Sequence, residues 1–552
     1  MPATKSSKTS PTSKAQRNRT SSGWLAGFGA WCLLVLVGSA AAWFFWSGRY
    51  TTWYGDAEAH LNIARRIVDS GQPGYDQIGT VWLPLPHLIM AMLVRSDAFW
   101  TSGLGGTIPG VFCYTLAGLF LFLASRRVFG DLLGAFVATA VFALNPNLLY
   151  LQSAPMTEPV FFAALCGMLY GTVTYAHSGS IPAVLLTAIC SLAASLTRYE
   201  GWALIPVVAT FFLLAGPRRW SSAILFCVLA SLAPLWWLGH NWWFYGNPLQ
   251  FYVGPDSAKG IYQRALDQGM ARYPGDGDWN KAVQYFSAAA MLAVGRVTLL
   301  IGVVGVLIAL ARRWFWPVVF LAIPPAFYIL SMHGSGTPIF VPHLWPFSYY
   351  NTRYGLAILP LAAFGAGALV AMIPGRLRGP AAVLTLLAVT TPWLLHPHLD
   401  NLICWKESQV NSVGRRAWTQ EAANYLTAKL RPGDRIRMPF GDTTGILRYA
   451  GIPLRNTVHE GDSPIWDAGI ARPDLFLFEQ WIVCISGDPL CSAVFKTMRS
   501  EWRYEKVKVI AVKDAKPIEI YRRDLAPRLP VPKEEEQQVD EDPIHESARG
   551  SE

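Results

Sequence analysis

The stretch WLAGFGAWCLLVLVGSAAAWFFW, Trp24 to Trp46, decides the class of the fold. It contains no charged residue and is long enough to cross a hydrocarbon core, which takes about 20 apolar residues. It is too long for the apolar region of a signal peptide, roughly 7–15 residues, and no small-residue cleavage site followed by a soluble domain appears. Residues 1–22 are rich in Ser and Thr, carry Lys5, Lys8, Lys14, Arg17 and Arg19, and contain no acid. They read as a basic, disordered, cytoplasmic tail ahead of a first membrane helix. Composition agrees. The 552 residues are 52% hydrophobic and 15% charged, whereas a soluble protein carries about 25% charged residues. A soluble enzyme of several domains is excluded. The formal net charge of +10 would advertise nucleic acid only if the basic residues lay elsewhere than at helix ends.

Ten further apolar segments follow, near 104–125, 132–151, 157–176, 181–197, 199–215, 221–240, 286–311, 315–332, 355–373 and 380–396. The expected fold is an all-α polytopic membrane bundle of about 11 spans. With the N-terminus inside, Arg126-Arg127, Arg218-Arg219, Arg312-Arg313 and Arg376/Arg378 all fall on the cytoplasmic side, as the positive-inside rule requires. Val81–Val94 is apolar but short and interrupted by Pro84 and Pro86. Counting it as a span would send every later basic cluster outside, so it reads as interfacial or re-entrant.

The outward side then gathers the long connections, including a first loop of about 47–103, and inward connections stay short. The catalytic or transport unit is expected over 23–400. After it, 415–430 has helical periodicity, while 435–440, 474–478, 506–513 and 517–521 read as strands, the last two as a hairpin around Asp514-Ala515. This gives a small extracytoplasmic α/β domain over 401–525. Residues 526–552 are acidic, nearly free of apolar residues and expected to be disordered. Five cysteines fall within spans. Of Cys404, Cys484 and Cys491 in the outer domain, Cys484 and Cys491 could pair in an oxidising compartment, or all three could be thiols. No ligand spacing suggests zinc.

Four short motifs carry possible chemistry. Tyr54-Gly-Asp56-Ala-Glu58-Ala-His60 opens an amphipathic segment just beyond the first span. Acids suit a helix's first turn, and a carboxylate there could equally take a proton from a hydroxyl. Met156-Thr-Glu158-Pro159 puts an acid at a span end, a costly placement, although Thr and Pro also make an ordinary helix start. Arg198-Tyr-Glu200 could be a local ion pair, or Arg198 could bind an anionic head group. Asn351-Thr-Arg353-Tyr354 stands in the same relation to a later span. Aromatic residues crowd the loops near Trp236–Tyr245 and Trp345–Tyr350, and His240, His333 and His343 could make polar contacts among them. An aromatic belt explains many of these residues, and stacking on a sugar would use the same ones. On the derived topology Asp56, Glu58, Glu158, Arg198, Glu200, His240, His343 and Arg353 all lie at one membrane surface.

Asp56 after the first span, Trp82-Leu-Pro84-Leu-Pro86-His87 closing that loop, Met156-Thr-Glu158-Pro159 and Arg198-Tyr-Glu200-Gly-Trp202 resemble, in order and sidedness, the membrane-embedded GT-C glycosyltransferases. Their nearest likeness is to the branch of protein O-mannosyltransferases and aminoarabinose lipid A transferases, over about 50–400. The resemblance implies transfer of a sugar from a polyprenyl-phosphate donor to a hydroxyl on the outer face, with inversion. It implies Asp56 or Glu58 as the base, Glu158 in support, and Arg198 or Arg353 on the carrier phosphate. Tyr54, His87, Glu200, His240, His343 and Tyr350 would line the substrate pocket. Ala57 separates Asp56 from Glu58, where many relatives have adjacent acids, so either acid could serve. No cofactor is required, and Asp-Ala-Glu leaves a divalent metal open. Partners would be the lipid-linked donor, a protein, lipid or glycan acceptor and membrane lipids, with no nucleic acid. A bacterial inner membrane is the expected location, since no retention tail is recognisable. The competing class is a transporter or flippase for a lipid-linked or anionic solute. Such proteins place charges near the midplane and often show inverted repeats; here the acids sit at span ends and no repeat is visible.

Overall fold

The computed structural model describes residues 11–497, 504–513 and 515–523, with side chains from residue 25 onward. Among its helices, in chain order, are α1 (Pro11–Ser47), α2 (Gly55–Val68), α3 (Leu85–Val94), α4 (Leu104–Phe129), α5 (Leu132–Ala143), α6 (Pro146–Ser153), α7 (Glu158–Ser178), α8 (Ile181–Ser195) and α9 (Glu200–Leu214). They continue with α10 (Arg219–Tyr245), α11 (Ala258–Asp267), α12 (Trp279–Val294), α13 (Arg296–Ala311), α14 (Phe315–His333), α15 (Leu359–Met372), α16 (Gly375–Leu395), α17 (Ile403–Lys429) and α18 (Thr444–Ala450). Helix α1 begins inside the stretch expected to be a disordered tail. Residues 1–10, the acidic segment 526–552 and Asp514 at the expected hairpin turn lie outside the described residues.

Among the described residues, seven helices are long and apolar enough to cross a membrane, and two bent pairs, α5–α6 and α12–α13, raise the number to nine. The chain is an integral multi-pass membrane protein. The expected eleven segments are all helical, but α8 and α9 have 15 residues each. Each is therefore about 22 Å long, short of the roughly 30 Å hydrocarbon core. Because they are consecutive, they add either no crossing or two, and the sidedness of every other segment stays the same. Helix α3, with 10 residues, is shorter still.

The two bent pairs have a local cause. Pro146 starts α6 and Asn145 caps it, accepting from Leu148 N at 3.0 Å, so the chain turns by 62°. Gly295, at φ 93°, permits the 107° turn between α12 and α13. Asn145 Nδ2 and Asn147 Nδ2 each donate to the Ala293 carbonyl at 3.0 Å, so one break supplies donors to the other inside the apolar bundle. Helices α13 and α15 meet through small residues. A Cβ added at Gly302 would fall 2.7 Å from Ala362 Cα, and one at Gly305 would collide with the Gly365 carbonyl.

The C-terminal sheet has strands β1 (Ile436–Arg437), β2 (Thr457–Val458), β3 (Trp481–Ile485), β4 (Tyr504–Ile510) and β5 (Ile518–Arg523), in the order β2-β1-β3-β5-β4. Strand β1 runs parallel to both neighbours, and β3, β5 and β4 pair antiparallel. The expected hairpin is present. Of 435–440, only two residues join the sheet. The stretch 474–478 is not a strand: Pro473 opens a helical turn, Pro473–Phe476. The place in the sheet belongs to Trp-Ile-Val-Cys-Ile of β3, which is buried along most of its length. Cys484 and Cys491 are joined in a disulfide, and Cys404 is a free thiol. This region does not core itself alone. Trp418, Ala422, Leu426, Ile446, Trp481 and Ile520 pack in one cluster with Leu61, Met90, Val94 and Trp100 of the first outer loop.

Candidate active site

Glu158 opens α7 and Glu200 opens α9, where free backbone N–H groups and the helix dipole favour a carboxylate. Arg198 lies in the link between α8 and α9. Arg353 sits on a 3-10 turn, Thr352–Ile358, that leads into α15. Asn351 starts that turn at φ 54°, a left-handed conformation that Asn tolerates. Its amide donates to the Pro338 carbonyl at 3.0 Å.

These residues form one network. Glu158 Oε1 accepts from Arg198 Nη1 at 3.1 Å and from Arg353 Nε at 3.0 Å. Arg353 Nη2 also bonds Asp56 Oδ2. Arg198 Nη1 donates to Thr157 Oγ1 at 2.7 Å and Arg198 Nε to Glu200 Oε1 at 2.8 Å. The Tyr328 hydroxyl joins Arg198 Nη2 to Glu200. Tyr354 lies under both guanidiniums, with ring centroids 5.2 Å from Arg198 and 5.0 Å from Arg353. All but Asp56 among the acids and arginines are nearly buried. The Asp56 carboxylate is 38% exposed, and its second oxygen makes no hydrogen bond among the described residues. A cavity of about 410 Å³ opens over the network, lined by Asp56, His60, Trp82, Arg198, Glu200 and Arg353 with aromatic residues of α14 and the 250s loop.

The expected site residues divide. Asp56, Glu158, Arg198, Glu200 and Arg353 come together. Tyr54 is buried beneath Arg353, its ring 5.2 Å from the guanidinium. Tyr350 is half-exposed on the preceding loop, and desolvation of its hydroxyl, then the nearby Asp56 charge, push its pKa up. His87 is one layer back, behind His60. His240 is outside the cavity lining, against the Gly79 carbonyl at 3.0 Å and the Trp237 ring. His343 is exposed and away from the cavity. Glu58 faces the C-terminal region: Arg448 Nε donates to Oε1 at 2.7 Å and Nη2 to Oε2 at 2.9 Å. Burial raises its pKa, but the Arg448 and Arg415 charges and the hydrogen bonds from Arg448 and Asn62 outweigh it and leave it below the ordinary value.

Other members carried no signal in the sequence. Glu407, on the polar α17, accepts from Asn351 N at 2.9 Å and from Thr352 N at 2.8 Å, and stands 3.7 Å from Arg353 Nη1. It thus caps the turn that presents Arg353. Burial raises its pKa against the lowering effects of Arg353 and these hydrogen bonds. Among the described residues the one converging set of three His, Cys, Asp or Glu donors is Cys484, Asp488 and Cys491, and its sulfurs form the disulfide.

Most of the chain superposes on a solved structure. ArnT from Cupriavidus metallidurans, bound to undecaprenyl phosphate, matches with a TM-score of 0.54 at 13% identity, over 90% of this chain and 98% of ArnT. Its apo form matches with 0.53 at 14%, over 91% and 98%. The chain has the GT-C fold. An oligosaccharyltransferase from Archaeoglobus fulgidus gives a TM-score of 0.44 at 12% identity, over 83% of this chain and 69% of that one, too low to bear on the fold. No family model matches the sequence, and no curated protein does. In this GT-C fold the network lies where the helices α7 and α9 begin, opposite the bundle end at which Arg378 pairs with Asp131 and Arg127 bonds Thr174.

Proposed function

We propose that the chain is an integral-membrane glycosyltransferase that moves a sugar from a polyprenyl-phosphate carrier to a hydroxyl on a protein, lipid or glycan at the outer face. The observation that carries the reading is Asp56: a half-exposed carboxylate with a free oxygen, in a cavity floored by two buried guanidiniums. The GT-C fold shared with an enzyme bound to undecaprenyl phosphate supports the choice of carrier. Asp56 takes the acceptor's proton as its oxygen attacks the anomeric carbon on the face opposite the phosphate. The bond from that carbon to the phosphate oxygen breaks, with inversion, and the polyprenyl phosphate leaves with the electron pair. Protonation of Asp56 removes its charge from Arg353, so the guanidinium becomes available to the departing phosphate as that charge develops. Arg198 is held for the same task, and Glu158 and Glu200 keep both cations in place. The positioned base favours Asp56 over the clamped Glu58.

The test is transfer of radiolabelled sugar from a panel of undecaprenyl-phosphate-linked donors by purified chain and by Asp56→Asn. A loss of about 100- to 10,000-fold in turnover is expected. Equal turnover would sink the base assignment, and no transfer by wild type from any donor would sink the reading.

A further inference from the structure

His60 and His87 form a directed pair beside the cavity. His60 Nδ1 is 2.9 Å from His87 Nε2, and His87 Nδ1 is 3.1 Å from the Leu83 carbonyl. A carbonyl only accepts, so His87 Nδ1 carries a hydrogen. Both rings are neutral. Burial, then the charges of Arg353 and Arg198, hold His60 at about 3, and burial with His60 holds His87 well below the ordinary imidazole value. His87 Nε2 is therefore the acceptor, and His60 Nδ1 must donate to it. That leaves His60 Nε2 a lone pair. The residue is 4% exposed and lines the cavity, and among the described residues its one hydrogen bond is the Nδ1 contact with His87, so that nitrogen has no partner there. Trp82, with its ring centroid 4.5 Å from that of His60, lines the same wall.

We infer that His60 Nε2 is a built-in acceptor for a hydroxyl of the sugar carried into the cavity, fixed in that role by the His87–Leu83 contact. A phosphate oxygen, itself an acceptor, has no bond to make there, so this wall reads the sugar while Arg198 and Arg353 hold the phosphate. The inference rests on the glycosyltransferase reading, and the test keeps the two apart.

Binding of plain undecaprenyl phosphate and of its mannosyl, glucosyl and aminoarabinosyl forms is measured on the detergent-purified full chain. Wild type should bind at least one sugar-bearing lipid more tightly than the plain one. His60→Phe should remove that increment, roughly ten- to hundredfold for an unmade bond to a buried acceptor, and leave plain undecaprenyl phosphate unaffected. His60→Gln, which offers an amide oxygen near the Nε2 position, should retain it. An increment untouched in His60→Phe overturns the proposal. A rise in KM for the acceptor hydroxyl in place of the donor overturns its assignment to the donor sugar. No binding of any lipid by wild type defeats the functional reading itself. Nitrogen NMR of ¹⁵N-histidine chain, with His60 identified by loss of its signal in His60→Gln, reads the pair directly. A neutral Nδ1–H ring unchanged from about pH 5 to 8 is expected, and an Nε2–H ring, or one that titrates in that window, refutes the relay.

Discussion

Asp56 and Glu58 sit two positions apart at the start of α2, and two helical steps turn a side chain through roughly 200°. One carboxylate therefore faces the cavity and the other the C-terminal region. The acids are the same in kind, and their partners decide their roles: Arg353 and open space for Asp56, the two-pronged Arg448 for Glu58. Glu58 then has a stability signature. Its folded pKa lies below its unfolded one, so its contribution is present above the unfolded carboxylate value and is lost as pH falls through the folded value. Arg448→Ala leaves the buried Glu58 carboxylate with only the more distant Arg415 and the Asn62 amide and should destabilise the chain by up to about 3–5 kcal/mol, measured by denaturation in detergent at neutral pH. The loss should shrink on acidification as Glu58 takes up a proton. A variant as stable as wild type, or one equally destabilised across the acid range, would contradict the clamp.

Helices in the bundle are positioned by small residues and by breaks more than by propensity. Apolar runs and span-end charges are legible in a sequence because water and lipid sort them. That is why the segments, Glu158, Arg198, Glu200 and Arg353 could be picked out, and why the order of motifs pointed to the GT-C fold. Glu407 could not be, since on a polar helix one more glutamate looks like solvated surface until Asn351 and Thr352 are seen to donate to it. His60 was visible in its motif but gained a role only when folding brought His87 to it. The stretch 474–478 misled because its apolar run, Leu475 to Phe478, outweighed the helix-starting Pro473. Packing between α13 and α15 gives a direct check. Gly305→Leu drives a side chain into the Gly365 backbone, and overpacking of this kind costs about 1–3 kcal/mol or more. Gly239→Ala in α10, where an added Cβ meets nothing within 4 Å, should instead be neutral or stabilise by roughly 0.5–1 kcal/mol. Thermal melts of the two purified variants should move in opposite directions or differ clearly; matching losses would refute the close approach.

At the scale of the molecule, the C-terminal sheet and the first outer loop share a core, and Asp69 binds the Leu454 N–H and Arg455 from across that seam. The sheet therefore belongs to the same side as Asp56, whichever side that is. The basic residues bear on which side. Arg126-Arg127 ends α4, Arg218-Arg219 starts α10, Arg312-Arg313 follows α13 and Arg376/Arg378 starts α16, all at the bundle end away from the network. By the positive-inside rule we propose that this end faces inward, which would put the network, the sheet and its disulfide on the oxidising side. Ser221 and Asp442 are both exposed and stand at opposite ends of this arrangement. In intact cells a membrane-impermeant maleimide should label Asp442→Cys, and should label Ser221→Cys only after the membrane is opened. Labelling of Ser221→Cys from outside would reverse the orientation and with it the face on which any sugar transfer could occur, because the acceptor must reach Asp56 from the side the sheet occupies.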